Sequence, residues 1–234
     1  MTATLLATHR VEKPWGRHNL WPGFPDPASD GEPIGEIWFQ MPGNATPDLL
    51  IKYLFTSEKL SVQNHPSDEE AHKRGLPRGK DECWLILAAE PDSTIAIGPK
   101  APVGADELRA AALDGSIVDL LDWKPVKAGD FYYSHSGVIH AIGAGLTLIG
   151  APLRPEGGVA IHADLRLYSG QLEAGQKAAL SLAPGRRAWV QVASGAAALG
   201  DAIIAAGDGA AVEGISTVTI TAIEAAVLLI FDMA

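Results

Sequence analysis

The sequence predicts an all-β protein built as two consecutive barrels, with a few short helices on the first. Three observations carry this. Short apolar runs separated by glycine-rich turns recur through the second half at the spacing of a sandwich or barrel. Composition changes beyond residues 154–158 (Arg-Pro-Glu-Gly-Gly), where charge thins out and Ala, Val, Ile and Gly take over. Helical signatures, by contrast, are confined to two stretches, 67–74 and 104–121.

The elements follow in order. Residues 10–33 are rich in Pro, Gly and Trp and read as an ordered loop that packs aromatics. Residues 35–40 and 49–55 have strand character. Residues 59–65 alternate so that Leu60 and Val62 point one way and Ser61, Gln63 and His65 the other. Pro66 ends that strand, and Ser67-Asp68-Glu69-Glu70 carries a capping box with acidic first-turn residues, which predicts a helix to about Arg74. Strands are expected at 82–88 and 94–98, then two short helices split by Asp114-Gly115. From Lys124 the pattern becomes strand and turn, with turns at 128–130 and 143–145. In the second half, strands are expected at 189–193, 202–204, 210–212, 218–222 and 226–231. The domains are thus 1–153 and 159–234.

Composition narrows the function. With 234 residues there is chain enough for one or two domains and a sizeable core. A formal charge of −10 argues against nucleic acid or an anionic membrane as the main partner, while leaving room for a local phosphate site. The single cysteine, Cys83, excludes an internal disulfide framework and fits a reducing compartment. The N-terminal residues lack a signal-peptide pattern, and the apolar run 225–231 is too short to span a bilayer, so a cytoplasmic location is expected.

Chemistry concentrates in three separated stretches: Gln63-Asn64-His65, Lys80-Asp81-Glu82-Cys83-Trp84 and Gly137-Val138-Ile139-His140. Two imidazoles, one carboxylate and one amide oxygen form a donor set suited to a borderline divalent cation acting as a Lewis acid. Gly129, His135, Gly137 and His140 have the spacing of the second cupin motif, G-x5-P-x-G-x2-H, with His135 in place of proline. Gln63-x-His65 followed by Glu82 is a variant of the first cupin motif. Lys80, two residues before Glu82, is a candidate for proton transfer or oxyanion stabilisation, or else a solvated lysine at a strand start. Cys83 should face away from Glu82 into the core. Asp68, Glu69 and Glu70 are better read as a helix N-terminus than as a second acidic site.

That variant narrows the resemblance. The runs at residues 60–69 and 79–87, with Gly129-Asp130 and His140-Ala141-Ile142-Gly143, resemble type I mannose-6-phosphate isomerases over about residues 10–152. Lys13-Pro14-Trp15-Gly16 and Ile34-Gly35-Glu36-Ile37-Trp38 agree with that family's N-terminal signature. The resemblance implies a bicupin of two jelly-roll barrels and one zinc ion per chain, held by Gln63, His65, Glu82 and His140. It also implies a phosphosugar substrate, an enediol intermediate, Ser61 near the substrate phosphate, and Trp15 and Trp38 as candidate walls of the sugar site. No nucleic-acid or membrane partner is expected, and the assembly is a monomer or homodimer.

The resemblance fails after His140. Short bacterial members of the family carry a Q-Q-x-S-D-x-T-Y-R run whose arginine is catalytic or contacts phosphate. This chain has Leu148-Ile149-Gly150-Ala151-Pro152-Leu153-Arg154, so Arg154 is the nearest candidate. Residues 161–234 look instead like the C-terminal cupin domain of pirin-type proteins, a metal-free barrel in which Arg166 opens a strand. Two alternatives therefore stand beside an isomerase. One is a pirin- or quercetinase-like dioxygenase, which would prefer iron or copper; the other is a non-catalytic, metal-bearing sugar-binding cupin.

Overall fold

The computed structural model describes residues 2–21, 23–40, 49–151 and 165–234. Its first part contains β1 (Thr2–Leu5), β2 (Ala7–Arg17), β3 (Ile34–Gln40), β4 (Lys52–Thr56), α1 (Asp68–Lys73), β5 (Glu82–Ala89) and β6 (Thr94–Pro99). Then come α2 (Ala105–Asp114), α3 (Ile117–Leu120), β7 (Leu121–Pro125), β8 (Phe131–Ser134), β9 (His140–Ile142) and β10 (Leu146–Ala151). The second part is β11 (Leu165–Leu172), β12 (Lys177–Ser181), β13 (Arg187–Ser194), β14 (Ala196–Leu199), β15 (Ala202–Ala205), β16 (Gly209–Glu213), β17 (Thr217–Ala222) and β18 (Ala226–Met233).

The predicted all-β architecture is what these strands build. A six-stranded sheet, β2-β3-β4-β10-β5-β8, faces a three-stranded sheet, β7-β6-β9, to form the first barrel. The second pairs a five-stranded sheet, β1-β16-β13-β18-β11, with a four-stranded one, β12-β17-β14-β15. All recorded strand pairs are antiparallel, so each strand shows alternate side chains to opposite faces.

That alternation lets the six-stranded sheet serve two cores. Ile37, Phe39, Tyr53, Phe55, Cys83 and Leu85 turn outward and meet Trp189, Ala193, Leu229 and Phe231 of the second barrel in one shared cluster. Leu54, Trp84 and Ile86 turn inward and, with Ile95, Ile142 and Leu146, line the first barrel. Glu82 shares the parity of Trp84 and Ile86. The expectation that Cys83 faces away from Glu82 into the core holds, since Cys83 is buried in the shared cluster.

Two sequence expectations are corrected. Residues 10–33 are not loop throughout, because β2 runs through Lys13-Pro14-Trp15-Gly16 to Arg17. It does so with two register breaks against β3, between Val11 and Glu12 and between Glu12 and Arg17, which bulge the strand where Pro14 cannot donate to a ladder. Residues 59–65 are extended but form no regular strand; only Gln63 makes an isolated bridge, to His140. Leu60 donates to the Ile142 carbonyl at 2.9 Å and Gln63 to the His140 carbonyl at 2.9 Å. Three residues on one side thus match two on the other, and the extra residue breaks the simple alternation.

The helix at 67–74 and the pair split at 114–115 form as predicted. Ser67 accepts from the Glu70 amide while the Glu70 side chain accepts from the Ser67 amide, which completes the capping box. Asp68, Glu69 and Glu70 therefore belong to a helix N-terminus. The first strand has a longer reach than its position implies. Thr2–Leu5 pairs with Ala210–Glu213, so the N-terminus is stitched into the second barrel. Among the described residues, no helix is long and apolar enough to cross a membrane.

Candidate metal centre

Glu82 is the first residue of β5 and pairs across the sheet with Ser134 of β8. His140 opens β9, held between Ile97 of β6 on one side and Gln63 on the other. The turn before it depends on Gly137, whose φ of +83° suits glycine far better than a branched residue. From that turn the Gly137 amide donates to the His65 carbonyl at 2.7 Å, which ties the two histidine-bearing segments together.

The result is a three-residue cluster drawn from both sheets. One ligand atom each from His65, Glu82 and His140 lies within 4.8 Å of the others. Glu82 Oε2 is 3.3 Å from His65 Nε2 and 3.2 Å from His140 Nε2. The two imidazole rings are 5.1 Å apart, and the buried Trp84 indole lies 5.3 Å from His140.

The hydrogen bonds around these groups indicate what the cluster accommodates. His140 Nδ1 donates to the Val138 carbonyl at 2.9 Å, with Ser134 Oγ 3.1 Å away. With the proton on Nδ1, Nε2 carries a bare lone pair. That Nε2 is buried and makes no hydrogen bond, although a carboxylate oxygen sits close by. Two facing acceptors in a buried site repel unless a cation lies between them. A divalent ion bound by imidazole and carboxylate removes this conflict, and the donor types suit zinc.

Burial would raise the Glu82 carboxyl, but hydrogen bonds from His140 and His65 whenever either carries its proton on Nε2, together with the Lys80 ammonium, outweigh it. The net effect holds Glu82 well below the usual carboxylate range, ionised and ready to ligate. Lys80 lies just before β5, its Nζ 2.6 Å from Glu82 Oε1 and 3.3 Å from His65 Nε2. It is a half-exposed cation whose ammonium touches the cluster.

The remaining predicted residues fall into four groups. Gln63 lines the same cleft as Glu82 and donates from Nε2 to Ser61 Oγ at 3.3 Å, so Gln63 and Ser61 border the cluster. Trp15 is half-buried and packs against the backbone of Gly35, where a Cβ would come within 2.7 Å of the indole. His135 is exposed and stacks edge-on to Tyr133 at 4.6 Å, outside the cluster. Arg154, the linker 154–158, the 153/159 domain boundary and His162 lie outside the described residues.

Sequence reasoning passed over an ion pair in the same cleft. Lys52 Nζ is 2.9 Å from Glu36 Oε1, and Trp38 Nε1 donates to Glu36 Oε2 at 2.7 Å. Glu36 and Lys52 line the cleft with Ser61, Gln63, Glu82 and Trp84. The available signal was a single charge within each of two otherwise apolar strand runs.

The chain is similar to known proteins in both sequence and structure. A mannose-6-phosphate isomerase from Streptococcus mutans is 37% identical over 125 residues, covering 51% of this chain and 39% of the relative. The match thus spans well under half of the relative's length. The chain resembles mannose-6-phosphate isomerases. Its C-terminal part matches the quercetinase C-terminal cupin domain family over residues 148–233. Among solved structures, the Bacillus subtilis mannose 6-phosphate isomerase superposes with a TM-score of 0.76 at 19% identity, covering 100% of both chains. A zinc-bound mannose 6-phosphate isomerase gives 0.69 at 12% identity, again over 100% of both chains. At these identities the superpositions establish the fold alone, and the expected resemblances, to mannose-6-phosphate isomerases and to a pirin-type cupin domain, are borne out.

Proposed function

We propose that this chain is a zinc-dependent isomerase that interconverts an aldose phosphate and a ketose phosphate, with mannose 6-phosphate and fructose 6-phosphate as the pair. The observation that carries this reading is the His65/Glu82/His140 cluster with Lys80 directly against it. Similarity to curated mannose-6-phosphate isomerases supports this choice of substrate. In this reading Gln63, His65, Glu82 and His140 hold one zinc ion per chain. Trp15 and Ser61 contact the sugar phosphate, and Arg154 stands in for the family's arginine. The protein works in the cytoplasm as a monomer or homodimer, without nucleic acid or membrane.

The reaction needs no oxidant or reductant. A base removes the C2 proton of the aldose, an enediol(ate) forms across C1 and C2, and a proton returns to C1 as the ketone forms at C2. Zinc, when bound, supplies Lewis-acid stabilisation of the negative charge that develops on the sugar oxygens. Lys80 is placed to move the proton or to steady that charge, because its Nζ already sits against the cluster. Trp84 is buried and gives the cleft an apolar wall beside the cluster. Glu36 and Lys52 offer a charged pair in the cleft for sugar hydroxyls.

Zinc-loaded protein should interconvert mannose 6-phosphate and fructose 6-phosphate in a coupled assay, and no turnover would sink the reading for that substrate. Lys80→Met should retain zinc and lose about 10²–10⁴-fold in kcat, the span of general acid–base catalysis.

A pirin- or quercetinase-like dioxygenase is the second reading, favoured by the family match over residues 148–233. That match covers the second barrel, whereas the cluster lies in the first. Full occupancy by iron or copper in purified protein, instead of zinc, would favour it.

A further inference from the structure

Asp81 stands between Lys80 and Glu82 but shares strand parity with Cys83, away from the cluster. It is 4% exposed, and both carboxylate oxygens are engaged. Oδ1 accepts from the Ser136 amide at 2.6 Å and Oδ2 from the Tyr133 hydroxyl at 2.7 Å. Burial, and next the hydrogen bond to Asp81, push the Tyr133 hydroxyl well above the usual phenol range, so it remains a donor.

Ser136 belongs to the segment 135–139, which connects β8 to β9 and ends at His140. Three successive residues of that segment are each fastened to part of the cluster or its frame. The Ser136 amide goes to Asp81, the Gly137 amide to the His65 carbonyl at 2.7 Å, and the Val138 carbonyl accepts from His140 Nδ1 at 2.9 Å. The segment contains no proline, so hydrogen bonds rather than a ring fix its backbone. A carboxylate accepting a backbone N–H is a charge-assisted bond, stronger than a neutral one. This carboxylate adjoins Glu82 in the chain. One short stretch therefore presents Glu82 and anchors the loop that orients both histidines.

We infer that Asp81 is a positioning residue for the metal centre, holding the 135–139 loop so that the Val138 carbonyl sets the tautomer and aim of His140. The inference rests on the metal-centre reading and reaches beyond it by naming what fixes the ligand geometry. Outer partners of this kind contribute about 10–100-fold in metal affinity.

The test measures zinc dissociation constants by chelator competition on wild type, Asp81→Ala and Asp81→Asn, with the unfolding midpoint of each zinc-free protein alongside. Asp81→Ala should bind zinc about 10–100-fold more weakly. Asp81→Asn should stay within about 3-fold of wild type, because its amide oxygen still accepts from Ser136 while its NH2 can donate to Tyr133. A purely structural role would lower the midpoint of Asp81→Ala and leave its zinc affinity unmoved, and that result overturns the inference. Asp81→Ser, whose hydroxyl falls short of the amide, carries the same comparison if Asp81→Ala does not fold. Wild type that takes up no zinc would instead overturn the metal-centre reading beneath it.

Discussion

The two barrels are built from the same kind of antiparallel sheets, yet their interiors are filled in opposite ways. The first encloses Glu36, Lys52, Glu82 and His140 beside a small apolar cluster of Leu54, Trp84, Ile86 and Ile95. The second is filled by Val190, Val192, Ile204, Val212, Val218, Ile220, Leu228 and Ile230, all with little or no exposure. Charge inside the first barrel is costly unless each group is paired, which explains the Lys52–Glu36 and Lys80–Glu82 contacts around the cluster. The second barrel answers the same demand for Asp232, which is buried and paired with Arg186, and otherwise supplies packing. The shared sheet face, with Tyr53 and Phe55 against Trp189 and Phe231, is where that packing supports the charged barrel.

This division predicts that damage to each barrel has a different signature. The largest effect is expected in the first. His140→Ala removes a buried imidazole whose Nδ1 is already fixed by Val138; on the proposed zinc site it should abolish both zinc retention and isomerase activity. Full zinc in that variant, read by elemental analysis, would contradict the assignment. In the second barrel, Ile220→Ala leaves a cavity in a closed apolar core and should cost about 2–5 kcal/mol of stability. Chemical denaturation measures that loss, while zinc affinity and kcat of the folded fraction should stay at wild-type values. A change in kcat would mean that the barrels are coupled more tightly than the shared face implies.

The same contrast shows why some of the molecule was legible in the sequence and some was not. Local signals translated directly: the Ser67 capping box became α1, and the spacing from Gly129 to His140 placed the last histidine against Glu82. Non-local and irregular features did not. No local pattern tells Thr2–Leu5 to pair with Ala210–Glu213, some two hundred residues away. Pro14 masked β2 because its bulges relieve what proline forbids in a regular ladder. Residues 59–65 alternate like a strand, but the extra residue opposite β9 leaves only the Gln63 bridge. The Glu36–Lys52 pair was hidden because two strands must register before opposite charges in each can meet. Nothing local marks Asp81, because its partner is the backbone amide of Ser136, 55 residues along the chain.

The smallest of the expected effects lies in the joint between the barrels. Gln191 is fully buried in the second barrel's large sheet and crosses to the first, its Nε2 3.1 Å from Tyr53 Oη. Its Nε2 also donates to the Asp208 carbonyl at 2.8 Å, while its Oε1 accepts from Trp189 Nε1 at 3.2 Å. Gly209 makes room for this amide, since a Cβ there would lie 2.8 Å from Gln191 Oε1. Gln191→Leu keeps the volume and strips the bonds. Tyr53 still has the Val192 carbonyl at 3.1 Å and the Asp208 carbonyl still accepts from the Val192 amide at 3.0 Å, but the Trp189 indole N–H loses its partner. Each unsatisfied buried group costs about 1–3 kcal/mol at full desolvation, and the new apolar contacts offset part of this. A net loss of about 1–2 kcal/mol in chemical denaturation is expected, with zinc affinity unchanged. If Gln191→Leu instead weakens zinc binding, the polar joint transmits to the charged interior, and the second barrel is part of the site rather than its support.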